Sequence, residues 1–158
     1  DTVSRRLRSA GAARREVIAV DTSAVVDLLR NRRTAIAHNL ELLIELGETV
    51  AFPAPVAQEL LQGARDEGEW RLLSRYVSSQ EILLPDVETY RRAAKIYYDC
   101  RRAGLTVRST VDCLVAQLAL DRGGYLLAHD RDYAAIATVR PLRIVRTVTL
   151  DEEHPDEE

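Results

Sequence analysis

The chain has 158 residues, of which 46% are hydrophobic and 30% charged, and its formal net charge is −3. That size suits one ordinary domain with a real core, and that composition excludes a disordered chain. No run approaches the roughly 18 apolar residues of a membrane span, so a membrane role is excluded as well.

The first sixteen residues are rich in Arg, Ser and Ala and hold no apolar stretch, so they are not expected to act as a secretory signal. Residues 1–16 are expected to be a flexible extension, and the start at Asp1 instead of Met points to a truncated or engineered end. Its Arg5, Arg6, Arg8, Arg14 and Arg15 read either as a solvated tail or as a basic arm for nucleic acid. Val17-Ile18-Ala19-Val20 is a short continuous apolar run, the pattern of a central parallel strand. It stops at Asp21-Thr22-Ser23, and a helix follows through Val25, Val26, Leu28 and Leu29. Ile36, Leu40, Leu43 and Ile44 share one face of a second helix. Val50-Ala51-Phe52 predicts a strand closed by Pro53, and Pro55 suits the first turn of a helix through Val56, Glu59, Leu60 and Leu61.

A polar helix is expected from Arg65 to Ser78, then a strand at Ile82-Leu83-Leu84. Asp86 caps a long helix that ends at Gly104, with Val87, Tyr90, Ala94, Tyr97 and Tyr98 expected to face inward. Val111 to Leu120 is apolar almost all round, hence a buried helix, and Gly123-Gly124 stops it. Tyr125-Leu126-Leu127-Ala128 is another buried strand, a short helix follows Asp130, and Leu142-Arg143-Ile144-Val145 forms the last strand. The tail beyond 148 is acidic, with six acids from Asp151 onward, leaving 22 bases against 19 acids in residues 1–150. Cys100 and Cys113 lack metal-site spacing and are expected to be reduced core residues of a cytoplasmic protein. Strands alternating with helices imply an α/β fold with a mainly parallel sheet, and function there collects at the strands' carboxyl ends.

Four acids fall at that end, each with a mundane reading beside the functional one. Asp21 ends the first strand and could be a turn residue; Glu59, expected on the sheet-facing side of its helix, could lie at a helix edge. Asp112 completes a capping box with Ser109, and Asp130 could cap the helix holding Asp132 and Tyr133. Taken together the mundane readings are strained. Four carboxylates brought to one sheet end repel by several kcal/mol unless protonated or neutralised by a cation. Oxygen donors without His or Cys select Mg²⁺ or Mn²⁺, and such a site suits cleavage of a phosphodiester. His129 adjoins the cluster but is expected to point to the opposite face of its strand. Ser23 could hold a water or ligand, while Arg101, Arg102 and Arg108 precede Asp112 and could grip flanking phosphates.

Val-Asp21-Thr-Ser23, Gln58-Glu59-Leu60-Leu61, Arg108-Ser-Thr-Val-Asp112-Cys-Leu and Leu-Ala-His-Asp130-Arg-Asp132-Tyr, in this order, resemble the PIN-domain ribonucleases, and most of all the VapC toxins of bacterial toxin–antitoxin pairs. The resemblance covers residues 17–147 and implies a single PIN domain (17–148), a Rossmann-like three-layer sandwich. It also implies Mg²⁺- or Mn²⁺-dependent endonuclease cleavage of structured RNA, a small antitoxin partner and usually a homodimer. Asp21, Glu59, Asp112 and Asp130 match the family's acidic quartet, and Asp132 looks like its auxiliary acid. The antitoxin is expected near Leu28, Leu29 and Leu40, offering an Arg or Lys to the carboxylates. A response-regulator receiver would need a strand-end lysine, yet the one lysine, Lys95, is mid-helix; a haloacid-dehalogenase-like phosphatase would need an Asp where Ser23 stands. A silent PIN-like binding module and a housekeeping PIN nuclease remain the alternatives.

Overall fold

The computed structural model describes residues 15–145, save for the side chain of Asp130. The rest of the Arg-rich extension and the acidic tail lie outside the described residues. Among the described residues five strands and seven helices follow in the order β1 (Ile18–Val20), α1 (Thr22–Leu29), α2 (Ala35–Glu45), β2 (Val50–Pro53), α3 (Ala54–Gln62), α4 (Glu67–Ser78), β3 (Glu81–Leu83), α5 (Val87–Arg102), α6 (Thr110–Leu120), β4 (Tyr125–Leu127), α7 (Asp130–Val139) and β5 (Arg143–Ile144). The strands lie in the order β3-β2-β1-β4-β5, all parallel. No helix among the described residues is long and apolar enough to cross a membrane.

The three layers follow from the two-residue period of a strand. Ile18, Val20, Phe52, Tyr125 and Leu127 face one way, onto Val25 of α1, Ile36 and Leu40 of α2, Leu60 of α3 and Leu73 of α4. Their neighbours Val17, Ala19, Ala51, Leu126 and Ala128 face the other way, onto α5, α6 and α7. Because both faces are covered, the central strands carry apolar residues at every position, which is why they read as continuous runs. Cys100 and Cys113 are free, buried thiols in the second of these cores, as expected of small apolar residues.

The sheet reverses direction once. From β1 the chain winds outward through β2 to β3, and it returns to place β4 on the other side of β1. The register sets Val20 opposite Leu127, and the Asp21 amide donates to the Leu127 carbonyl at 2.9 Å. The crevice beyond these two strand ends is the switch point at which parallel α/β sheets place their ligands.

The long helix α5 corrects the sequence reading. It starts on a reciprocal box, Thr89 N donating to Asp86 Oδ1 at 2.8 Å and Asp86 N to Thr89 Oγ1 at 3.1 Å. It stops at Gly104, whose φ of +74° lets the Leu105 amide turn back to the Cys100 carbonyl at 2.8 Å. The inward face, however, is Thr89, Ala93, Ile96 and Cys100, while Val87, Tyr90, Ala94, Tyr97 and Tyr98 are exposed. Both stripes have helical spacing, so periodicity alone could not choose. Packing chooses: small residues let α5 approach Cys113 and Ala116 of α6 closely, while outward tyrosines keep their hydroxyls in water.

Candidate active site

Asp21 is the residue on which β1 ends and α1 begins. It occupies the N-cap position of α1 without using its side chain to cap it, so the carboxylate is free for other partners. One of those partners comes from far along the chain and the others from the same turn. Tyr133 Oη donates to Asp21 Oδ1 at 3.1 Å, and Ser23 Oγ lies 3.4 Å from Oδ2, a weak hydrogen bond.

Asp112 lies in the first turn of α6, half-buried, and the capping box expected there is not made. Ser109 Oγ accepts from Val111 N at 3.1 Å, not from the amide of Asp112. The carboxylate is therefore not spent on the helix end. Burial is the main force pushing it up to about 6, and the charges of Asp21, Asp132 and Glu59 push the same way, against a hydrogen bond from Tyr133 that lowers it. Asp21 is also raised, chiefly by burial, with Glu59 and Asp132 adding to the effect. The four acids thus sense one another across α1, α3, α6 and α7, which is the crowding expected of carboxylates at one sheet end.

Glu59 differs from its expected place. It is exposed on α3 instead of facing the sheet, and Thr22 Oγ1 holds it by donating to Oε2 at 2.5 Å. Asp132 is half-buried and lies 3.8 Å from both Arg108 Nη1 and Arg131 Nε. Asp130 is the first residue of α7, so the backbone of this acid starts at the rim where β4 ends. His129 precedes it as an exposed residue past the end of β4, so no strand face sets its direction. Arg101 and Arg102 sit in the last turn of α5, with the Arg101 guanidinium 6.0 and 5.9 Å from the ring centres of Tyr97 and Tyr98. Among the described residues neither pairs with a carboxylate of the site.

Two residues of the site escaped the sequence reading. Thr22 was passed over between Asp21 and Ser23, yet it anchors Glu59. Tyr133 was read as part of a short helix, yet it is fully buried and ties Asp21 to α7. A signal for it existed, since a tyrosine at an inward position must deliver its hydroxyl to a polar partner.

The donor set fits a hard divalent cation. The converging groups are carboxylates and hydroxyls, with no thiol or imidazole among them. Among the described residues no three His, Cys, Asp or Glu side chains stand close enough to share one ion. The acids therefore ring the switch point without forming a finished cage.

A parallel sheet with acids gathered at its switch point defines a class, and the comparisons agree: the chain matches the PIN domain family over residues 18–139 and belongs to that family. Its similarity to particular members is close. It is 38% identical over 129 residues to Ribonuclease VapC11 of Mycobacterium tuberculosis, covering 80% of this chain and 96% of that protein. A VapC ribonuclease of Mycobacterium bovis matches to the same extent. Two solved structures share the fold: VapBC-1 of nontypeable Haemophilus influenzae (TM-score 0.64, 19% identity, covering 82% of this chain and 96% of that one) and VapBC2 of Rickettsia felis bound to a DNA fragment from their promoter (TM-score 0.66, 20% identity, covering 82% and 97%).

Proposed function

We propose that this chain is the toxin of a toxin–antitoxin pair, an endoribonuclease that cuts structured RNA such as tRNA or rRNA with Mg²⁺ or Mn²⁺. The observation that carries the reading is the gathering of Asp21, Glu59, Asp112 and Asp132 at one end of the sheet, where burial first and then the neighbouring charges push the Asp112 carboxyl up to about 6. Such a cluster costs stability and has a use only where positive charge arrives. Asp21, Glu59, Asp112 and Asp130 would hold the ion, with Asp132 as an auxiliary acid. When bound, it would supply Lewis-acid polarisation of a phosphodiester and a water of lowered pKa. The chain's own residues do the rest. Thr22 steadies Glu59, Ser23 sits beside Asp21 to orient a water, and Arg108, Arg101 and Arg102 offer positive charge to flanking phosphates.

The deciding experiment incubates the purified protein with total bacterial RNA, with and without Mg²⁺, and maps new 5′ ends. Discrete new ends in a few RNAs, dependent on the ion, support the reading. Intact RNA in every condition favours the silent binding module.

Arg108 tests the substrate. It is largely exposed, and its 3.8 Å pair with Asp132 is a surface ion pair, worth at most about 1 kcal/mol. Arg108→Ala should therefore leave the melting temperature nearly unchanged while weakening RNA binding and lowering the salt slope by about one counterion. An unaltered salt slope in a filter-binding assay would return Arg108 to the solvated surface.

The antitoxin has a groove to occupy, though not quite the one expected. Leu40 is wholly buried in the core and offers nothing to a partner. A cleft of about 560 Å³ lies instead among α1, α3 and α4, lined by Val26, Leu29, Leu60, Leu72 and Tyr76, with Glu59 on its wall. An amphipathic antitoxin segment seated there would bring a basic side chain within reach of the carboxylates. Leu72 is 61% exposed, so Leu72→Glu should leave fold and cleavage intact while abolishing inhibition. Co-expression with the small protein encoded beside it should rescue growth of cells making the wild type but not the variant. Harmless expression of the wild type alone would point to a housekeeping nuclease. A homodimer is part of the same reading, checked by sedimentation.

A further inference from the structure

Tyr133 ties α7 to the end of β1. It comes from α7, three residues after Asp130, and its ring is fully buried beside Ile136 in the core under α5, α6 and α7. Its one polar atom points out of that core to the switch point. There the hydroxyl donates to Asp21 Oδ1 at 3.1 Å, at the end of β1. The other partners of Asp21 are local to its own turn, the Thr22 amide and Ser23. Among the described residues Asp21 Oδ2 meets Ser23 at only 3.4 Å, and Asp112 makes no capping bond. The rigid, buried ring leaves its hydroxyl little freedom to move, unlike the half-buried Thr22 that serves the exposed Glu59.

We propose that Tyr133 is a positioning residue, whose hydroxyl fixes the carboxylate of Asp21 through Oδ1 and leaves its other oxygen for a divalent cation. The proposal rests on the metal reading given above. Outer partners of this kind orient ligating carboxylates, and their removal typically costs about 10–100-fold in metal affinity. Phe fills the space of Tyr, so Tyr133→Phe removes the hydroxyl without opening a cavity.

The test is calorimetric titration of Mn²⁺ into the full chain, without RNA, for the wild type, Tyr133→Phe and the core control Ile136→Val. Tyr133→Phe is expected to bind Mn²⁺ about tenfold or more weakly, with an unchanged circular dichroism spectrum, while Ile136→Val binds as the wild type does. In RNA cleavage the Mg²⁺ concentration for half-maximal rate should rise by the same factor, with the rate at saturating Mg²⁺ nearly restored. A folded Tyr133→Phe that binds Mn²⁺ within twofold of the wild type overturns the proposal, whether or not it melts lower. So does equal weakening in Ile136→Val, which would mark a general packing effect. A wild type that binds no Mn²⁺ defeats the metal reading itself, and the two failures are thereby told apart.

Discussion

Asp112→Asn should lose RNA cleavage by about 10²-fold or more while melting at a higher temperature than the wild type in EDTA. The loss follows from its place among the acids, and the gain from the strain on its charge. Burial and the neighbouring Asp21, Asp132 and Glu59 raise its carboxyl from 3.8 to about 6, so ionising it in the folded protein is unfavourable. The folded value lies above the unfolded one. Stability from this group is therefore greatest below about pH 4 and is lost as pH rises through 6. With allowance for solvent screening of a half-buried group, the loss is of the order of 1–2 kcal/mol. In EDTA the wild type should accordingly melt lower at pH 7.5 than at pH 5 through this group, and Asp112→Asn should show a flatter profile. The capping alternative expects the opposite, a loss of about 1 kcal/mol with cleavage kept. Melting curves at the two pH values, run beside an RNA assay, decide between them. A variant that cuts RNA at the wild-type rate would remove Asp112 from the site.

Removing the divalent ion should be the next largest effect. Excess EDTA is expected to stop cleavage, and Mg²⁺ or Mn²⁺ to restore it, with Ca²⁺ a poorer substitute because it favours more ligands and looser geometry. The same ions should stabilise the fold by mass action, about 2.7 kcal/mol at a hundredfold excess over Kd. At neutral pH that stabilisation should exceed the one in Asp112→Asn, since the ion relieves a repulsion that the variant has already lost. Full cleavage in EDTA, or an equal rise in melting temperature for both proteins, would sink the metal mechanism.

What could be read from the chain was whatever a local signal decides. Four apolar runs bounded by turn residues located β1, β2, β4 and the helix α6, because burial on both faces leaves no polar alternation. Asp21 and Asp112 stood out because each falls where one element ends or begins, and in a parallel sheet those ends lie on a known side. Asp86 and Gly104 marked the limits of α5 by capping chemistry, which is local by nature.

Other features depended on groups far apart in sequence. The inward face of α5 was one, because two stripes met the period equally and only the close approach of α6 selected the small residues. Glu59 was another: its helix was legible, but its outward direction and its bond to Thr22 came from how α3 lies against α1.

The sequence by itself determined the alternating elements, the parallel sheet, and the acids that reach its carboxyl end, since each rests on periodicity or on a cap within a few residues. Only the tertiary structure decided that β4 lies beside β1, so that residues 21 and 130 border one crevice, and that Tyr133 reaches across 112 positions to hold Asp21. Strand order and the aim of a buried hydroxyl are set by which surfaces pack together, and packing sums over the whole chain.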